Sequence, residues 1–70
     1  MIQQYNALIQ TDGEWWYGWV EEIPGVNAQE KSEAALLASL REVLVEAIEM
    51  NRADARSAAK AGYREVSLAA

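Results

Sequence analysis

The dipeptide Asp12-Gly13 stands between two runs of alternating apolar and polar residues, and that arrangement constrains the fold more than any other stretch. Asp-Gly favours a two-residue type I′ turn, so Met1 to Glu22 reads as a β-hairpin. Its strands are expected from about Ile2 to Gln10 and from about Trp15 to Glu22. With that turn, Ile9 lies opposite Trp16, Ala7 opposite Gly18 and Tyr5 opposite Val20, which makes an ordinary core face. Side chains alternate across a strand, so Leu8 then sits beside Tyr17, Gln10 beside Trp15 and Asn6 beside Trp19 on the reverse face. Large aromatics therefore point away from the core. A chain of 70 residues cannot bury both faces of a sheet by itself, which marks the reverse face for contact with another subunit or a partner.

Downstream, Pro24-Gly25 breaks the ladder and a short third strand is expected around Val26 to Gln29. Ser32 is a good N-cap, after which Leu36, Leu37, Leu40, Val43, Leu44, Ala47 and Ile48 recur at helical steps and form one apolar stripe. Glu42, Glu46 and Glu49 fall on the outer side. Residues 51–61 are alanine-rich and suit a helix, yet offer little apolar area, so they extend the helix, form a second short one, or fray. Gly62 reads as a stop, and Tyr63 to Ala69 as a closing strand. The expectation is a single α+β domain over residues 1–70: a small mixed sheet in β-β-(β)-α-β order with one main helix on one face, and Gly18 letting that helix approach closely.

Such a chain buries only about 60% of the surface it exposes when unfolded, and with no cysteine it has no disulfide to compensate. Oligomerisation is the expected supplement. The net charge of −5 disfavours a broad nucleic-acid surface and suits a basic protein partner. Nine acidic and two basic residues occupy positions 1–51, whereas positions 52–70 carry four basic and two acidic ones, including a possible stripe of Arg52, Arg56 and Lys60. No apolar run approaches the ~20 residues of a membrane span, and Met1-Ile2-Gln3-Gln4 lacks the layout of a signal peptide. A cytoplasmic protein without a membrane partner is expected.

The run Trp16-Tyr17-Gly18-Trp19-Val20-Glu21-Glu22-Ile23-Pro24-Gly25-Val26-Asn27-Ala28-Gln29, with Ser32 and Leu36-Leu37-Ala38-Ser39-Leu40-Arg41-Glu42, resembles the N-terminal domain of HicB-type antitoxins. The resemblance extends from Tyr5 to about Ile48, with Tyr63 to Leu68 similar to the family's closing strand. It departs from the family at Glu30, where glycine is common, and at Ala34 and Ala35, where acidic residues are common. The resemblance implies a partial ribonuclease H-like fold and neutralisation of HicA, a small basic toxin that cleaves mRNA. Family members with a second, C-terminal domain use it to bind DNA; no such segment follows in this sequence, so direct DNA binding is not expected.

Ribonuclease H chemistry needs clustered carboxylates to hold metal ions. The candidates Asp12, Glu14, Glu21 and Glu22 do not converge in the expected register. With no histidine and no cysteine, the commonest bases, nucleophiles and transition-metal ligands are absent, and the serines have no base beside them. The sequence therefore points to a non-enzymatic protein without cofactor or metal. Its expected interface is Leu8, Trp15, Tyr17, Trp19, Glu21 and Glu22, facing either a HicA-like toxin or another copy of the chain in a stand-alone homo-oligomer with a scaffold or ligand-binding role. Base stacking on the aromatics is the weaker alternative, because basic residues are not interleaved with them.

Overall fold

The computed structural model describes residues 4–69, so Ile2, at the start of the expected first strand, lies outside the described residues. Three strands, β1 (Ala7–Thr11), β2 (Trp16–Val20) and β3 (Asn27–Glu30), precede one helix, α1 (Glu33–Ala58). They form an antiparallel meander in the order β1-β2-β3, and α1 packs on one face of it, chiefly against β2 and β3. The molecule is a small α+β fold. All pairings among the described strands are antiparallel, where a mixed sheet was expected.

The hairpin register is offset by two residues from the expected one: Ala7 pairs with Val20, Leu8 with Trp19, Ile9 with Gly18, Gln10 with Tyr17 and Thr11 with Trp16. A type I′ turn on Asp12-Gly13 needs positive φ at both central positions, which is costly for Asp12. The turn instead centres on Gly13-Glu14, where the first central residue, Gly13, takes φ 100° and no non-glycine residue needs a positive φ. Hydrogen bonds from the turn amides fix this choice. Asp12 Oδ1 accepts from the N–H of Glu14 at 3.0 Å and of Trp15 at 2.8 Å, while the Asp12 N–H donates to the Trp15 carbonyl at 3.2 Å. A two-residue offset leaves every side chain on its expected face, so the division into core and reverse faces stands although the individual partners change.

The second turn follows from Pro24-Gly25. The Val26 N–H donates to the Ile23 carbonyl at 3.4 Å, with Pro24 and Gly25 between them and Gly25 at φ 88°. Proline at the first central position and positive-φ glycine at the second are the requirements of a type II turn. This turn delivers Val26 to the core. Val26, Val20, Leu36 and Leu40 are buried, ringed by half-buried Tyr5, Ile9, Trp16, Ile23, Ala28, Val43, Leu44 and Ala47. Ser32 caps α1 by accepting from the Ala35 N–H at 3.2 Å, and Ser39 Oγ donates to Glu30 Oε2 at 2.7 Å, tying the helix to β3.

Gly18 has a different role from the one expected. A Cβ there would stand 2.5 Å from the Leu8 carbonyl oxygen and 2.9 Å from Ile9 Cγ2, so glycine accommodates the neighbouring strand rather than the helix. The end of the chain also differs. Residues 51–58 continue α1 without a break, because alanine-rich sequence favours helix and no stop signal intervenes. That continuation carries the chain about 15 Å past Ile48, the last half-buried residue. Beyond it the Tyr63 N–H donates to the Lys60 carbonyl at 3.3 Å, and Arg56 Nη2 pairs with Glu65 Oε1 at 3.2 Å. Residues 63–69 are exposed and form no strand, so the expected closing strand is not present among the described residues. No helix among the described residues is long and apolar enough to cross a membrane.

Two glycines separate two kinds of constraint. Gly18→Ala should destabilise by about 1–3 kcal/mol through overpacking against backbone that cannot yield. Gly25, whose added Cβ would meet nothing within 4 Å, is constrained by its dihedral alone. Gly25→Val should therefore lower the melting temperature while Gly25→Asn recovers most of it, since asparagine tolerates positive φ; thermal unfolding of the three variants measures both effects.

Carboxylates tie both ends of the hairpin. The amides of Trp15 and then Glu14 hold the Asp12 pKa below its ordinary value. At the base, Glu22 accepts from the Asn6 backbone N–H at 2.8 Å and from Asn6 Nδ2 at 2.9 Å, and these bonds lower its pKa too. A pKa depressed by folding stabilises fully above the unfolded-state value, and that contribution disappears as the pH falls through the folded-state value. Thermal stability should thus decline on acidification below about pH 4. Asp12→Asn and Glu22→Gln should each flatten that decline, as melting curves across the acid range will show.

Candidate interaction face

The reverse face of the sheet collects side chains from all three strands. Register places Leu8 beside Trp19 and Trp19 beside Asn27, while Tyr17 lies between Gln10 and Gln29. Alternation extends this row to Trp15, just before β2. The helix lies on the opposite face, so nothing among the described residues covers the row as α1 covers the core. Leu8 and Trp19 remain 46% and 42% exposed, and Trp15 and Tyr17 are half-buried. Together the four make an apolar and aromatic strip bordered by the amides Gln10, Asn27 and Gln29. Aromatic side chains of this kind bring large rigid contact area at little entropic cost, with polar atoms left for a partner's hydrogen bonds.

The charged residues expected at this face have distinct surroundings. Glu21 is exposed, and its N–H donates to the Asn6 carbonyl at 2.8 Å, continuing the hairpin register beyond Val20. Glu22 is also exposed, but Asn6 engages both of its carboxylate oxygens. It contributes negative charge at the hairpin base while serving as a local tie. At the other end, Lys31 Nζ lies 3.8 Å from the centre of the Trp15 ring and 3.2 Å from Glu14 Oε1. This cation–π contact partly covers Trp15. Lys31 and Asn6 were not among the expected site residues. The two-residue step from Gln29 to Lys31 was the signal for Lys31, since it places the lysine in the same alternating row; Asn6 gave no such signal.

Asp12 and Glu14 stand at the hairpin tip and Glu21 and Glu22 beyond the far end of β2, so the carboxylates do not gather at one point. Among the described residues, no group of three or more His, Cys, Asp or Glu side chains is placed to hold a metal ion. On the core side, α1 leaves a shallow apolar groove beside β1, lined by Tyr5, Ala7, Val20, Leu37, Leu40 and Leu44 with Arg41. Its volume of about 160 Å³ is below the ~300 Å³ at which ordinary small-molecule pockets begin. Comparisons with protein-family models, curated proteins and solved structures found no match to this chain.

Proposed function

We propose that this protein is a HicB-like binding module that occludes a small basic HicA-type mRNA-cleaving toxin, acting by coverage rather than by catalysis. The observation that carries the reading is the strip of Leu8, Trp15, Tyr17 and Trp19 on the sheet face opposite the helix, with Leu8 and Trp19 exposed. The acidic balance of residues 1–51 supports it, because opposite charge speeds encounter with a basic partner. The sequence similarity from Trp16 to Glu42 gives the partner its class. Aromatic anchors would then set the lifetime of the complex, and Glu21 and Glu22 its rate of formation.

Co-expression with the toxin-like product of an adjacent reading frame tests this directly. The wild-type chain should restore growth and stop RNA cleavage. Trp19→Glu should abolish rescue while the purified variant keeps its helical circular dichroism, and Tyr17→Ala should speed dissociation by about 30-fold, the equivalent of a 2 kcal/mol hot spot. Removing the Glu21 and Glu22 charges should slow association at low salt. Persistent growth arrest beside soluble, folded wild-type protein would reject the toxin and leave the stand-alone homo-oligomer.

A further inference from the structure

Strand β1 has a neighbour on one side only. The Glu21 N–H donates to the Asn6 carbonyl at 2.8 Å and the Asp12 N–H to the Trp15 carbonyl at 3.2 Å, so the hydrogen-bonded pairs alternate through Leu8 with Trp19 and Gln10 with Tyr17. Ala7 and Ile9 therefore turn their N–H and carbonyl groups outward, and among the described residues no strand lies beyond them. The strand contains no charge and no proline, the residues that commonly block such an edge, whereas β3, at the other edge, ends on Glu30 with Lys31 next. On its core side the same edge opens onto the apolar groove lined by Tyr5, Ala7, Leu37 and Leu44.

Residues 63–69 have the complementary character. In an extended chain Val66 and Leu68 share one side with Arg64, while Tyr63, Glu65 and Ser67 take the other, and Val66 and Leu68 are 64% and 89% exposed. The groove of their own chain is out of reach. The Tyr63 N–H donates to the Lys60 carbonyl with Gly62 at φ 91°, so the chain turns there, and Leu68, five residues on, extends about 17 Å beyond Tyr63 at most. The distance back along α1 from its end at Ala58 to Leu44, the nearest groove residue, is about 21 Å. The tail falls short for as long as the helix and this turn persist.

We propose that residues 63–69 add to the β1 edge of a second copy of the chain, reciprocally, in a two-fold symmetric dimer. The outward backbone groups of Ala7 and Ile9 then pair with the incoming tail as a fourth strand, and Val66 and Leu68 of the partner subunit enter the groove. The exposed half of α1, from Glu49 to Ala58, is the arm that carries the tail across. Charge favours this occupant: positions 52–70 hold four basic residues against two acidic, and positions 1–51 nine acidic against two basic, so each arm is drawn to the other copy's sheet. The bond between Arg56 and Glu65 is an exposed ion pair, which contributes little, so it does not hold the tail back. Docking on the edge and the core side leaves the aromatic sheet face open and does not depend on what binds there.

Sedimentation of the full chain at about 100 μM reads the outcome, with no toxin present. Wild type should be dimeric. The double variant Val66→Asp, Leu68→Asp should be monomeric with its helical circular dichroism unchanged, because both side chains are exposed. Ala7→Pro removes an outward N–H and leaves the ladder to β2 intact, and Ala7→Lys charges the mouth of the groove; each should also be monomeric. Mixing the tail variant with either edge variant should raise the average mass above that of each alone, since one chain supplies an intact edge and the other an intact tail. Trp19→Glu should remain dimeric. A monomeric wild type, a dimer that survives the tail variant, or no gain in mass on mixing with either edge variant would overturn the proposal; a dimer lost in Trp19→Glu and kept in the tail variant would move self-association to the aromatic face.

Discussion

Among the described residues, the fully buried apolar side chains meet at one place, where Leu36 and Leu40 of α1 close over Val20 and Val26 of the sheet. Each of these four depends on an element of backbone geometry. The N-cap at Ser32 starts the helix in the phase that turns Leu36 and Leu40 inward, and the Pro24-Gly25 turn brings Val26 back beside Val20, whose N–H donates to the Val26 carbonyl at 3.0 Å. The bond between Ser39 and Glu30 then fixes the helix over β3. A core this small leaves little stability in reserve, so the turns and caps that aim four side chains matter as much as the apolar area those side chains bury.

One helix covers one face. The remaining sheet face and the far half of α1 are therefore consequences of the same shortage of apolar mass, and both carry more than a solvated surface requires. On the sheet the excess is aromatic and lies in one row; on the helix it is a length of exposed backbone beyond the apolar stripe. A chain selected only for solubility has no use for Trp19 on an open strand. The carboxylates are spread between the hairpin tip, its base and the helix exterior.

Much of this was legible in the sequence because it depends on periodicity. The period-two alternation separated Leu8, Tyr17 and Trp19 from Ile9, Trp16 and Val20, and that separation survived a register offset of two residues. The cap at Ser32 and the stripe from Leu36 to Ile48 located the helix. What was not legible depended on distances between chain segments. Gly18 answers to the Leu8 carbonyl and Ile9, not to the helix, and only coordinates reveal which neighbour comes closest. The turn centre depended on whether the Asp12 carboxylate would satisfy the Glu14 and Trp15 amides. Residues 63–69 alternate as a strand should, but a strand also needs an edge within reach, and the uninterrupted helix through residue 58 moves them away from one.

The proposed contact on the sheet face has an electrostatic rationale. Acidic residues concentrate before residue 52 and basic ones after it, and the molecule is 53 Å along its longest axis and 23 Å along the next. The sheet end therefore carries the negative field and the projecting helix end the positive one. The proposed basic partner would be drawn toward the aromatic face and repelled from the helix tip. Like-charge repulsion at the wrong site would raise specificity without adding a contact.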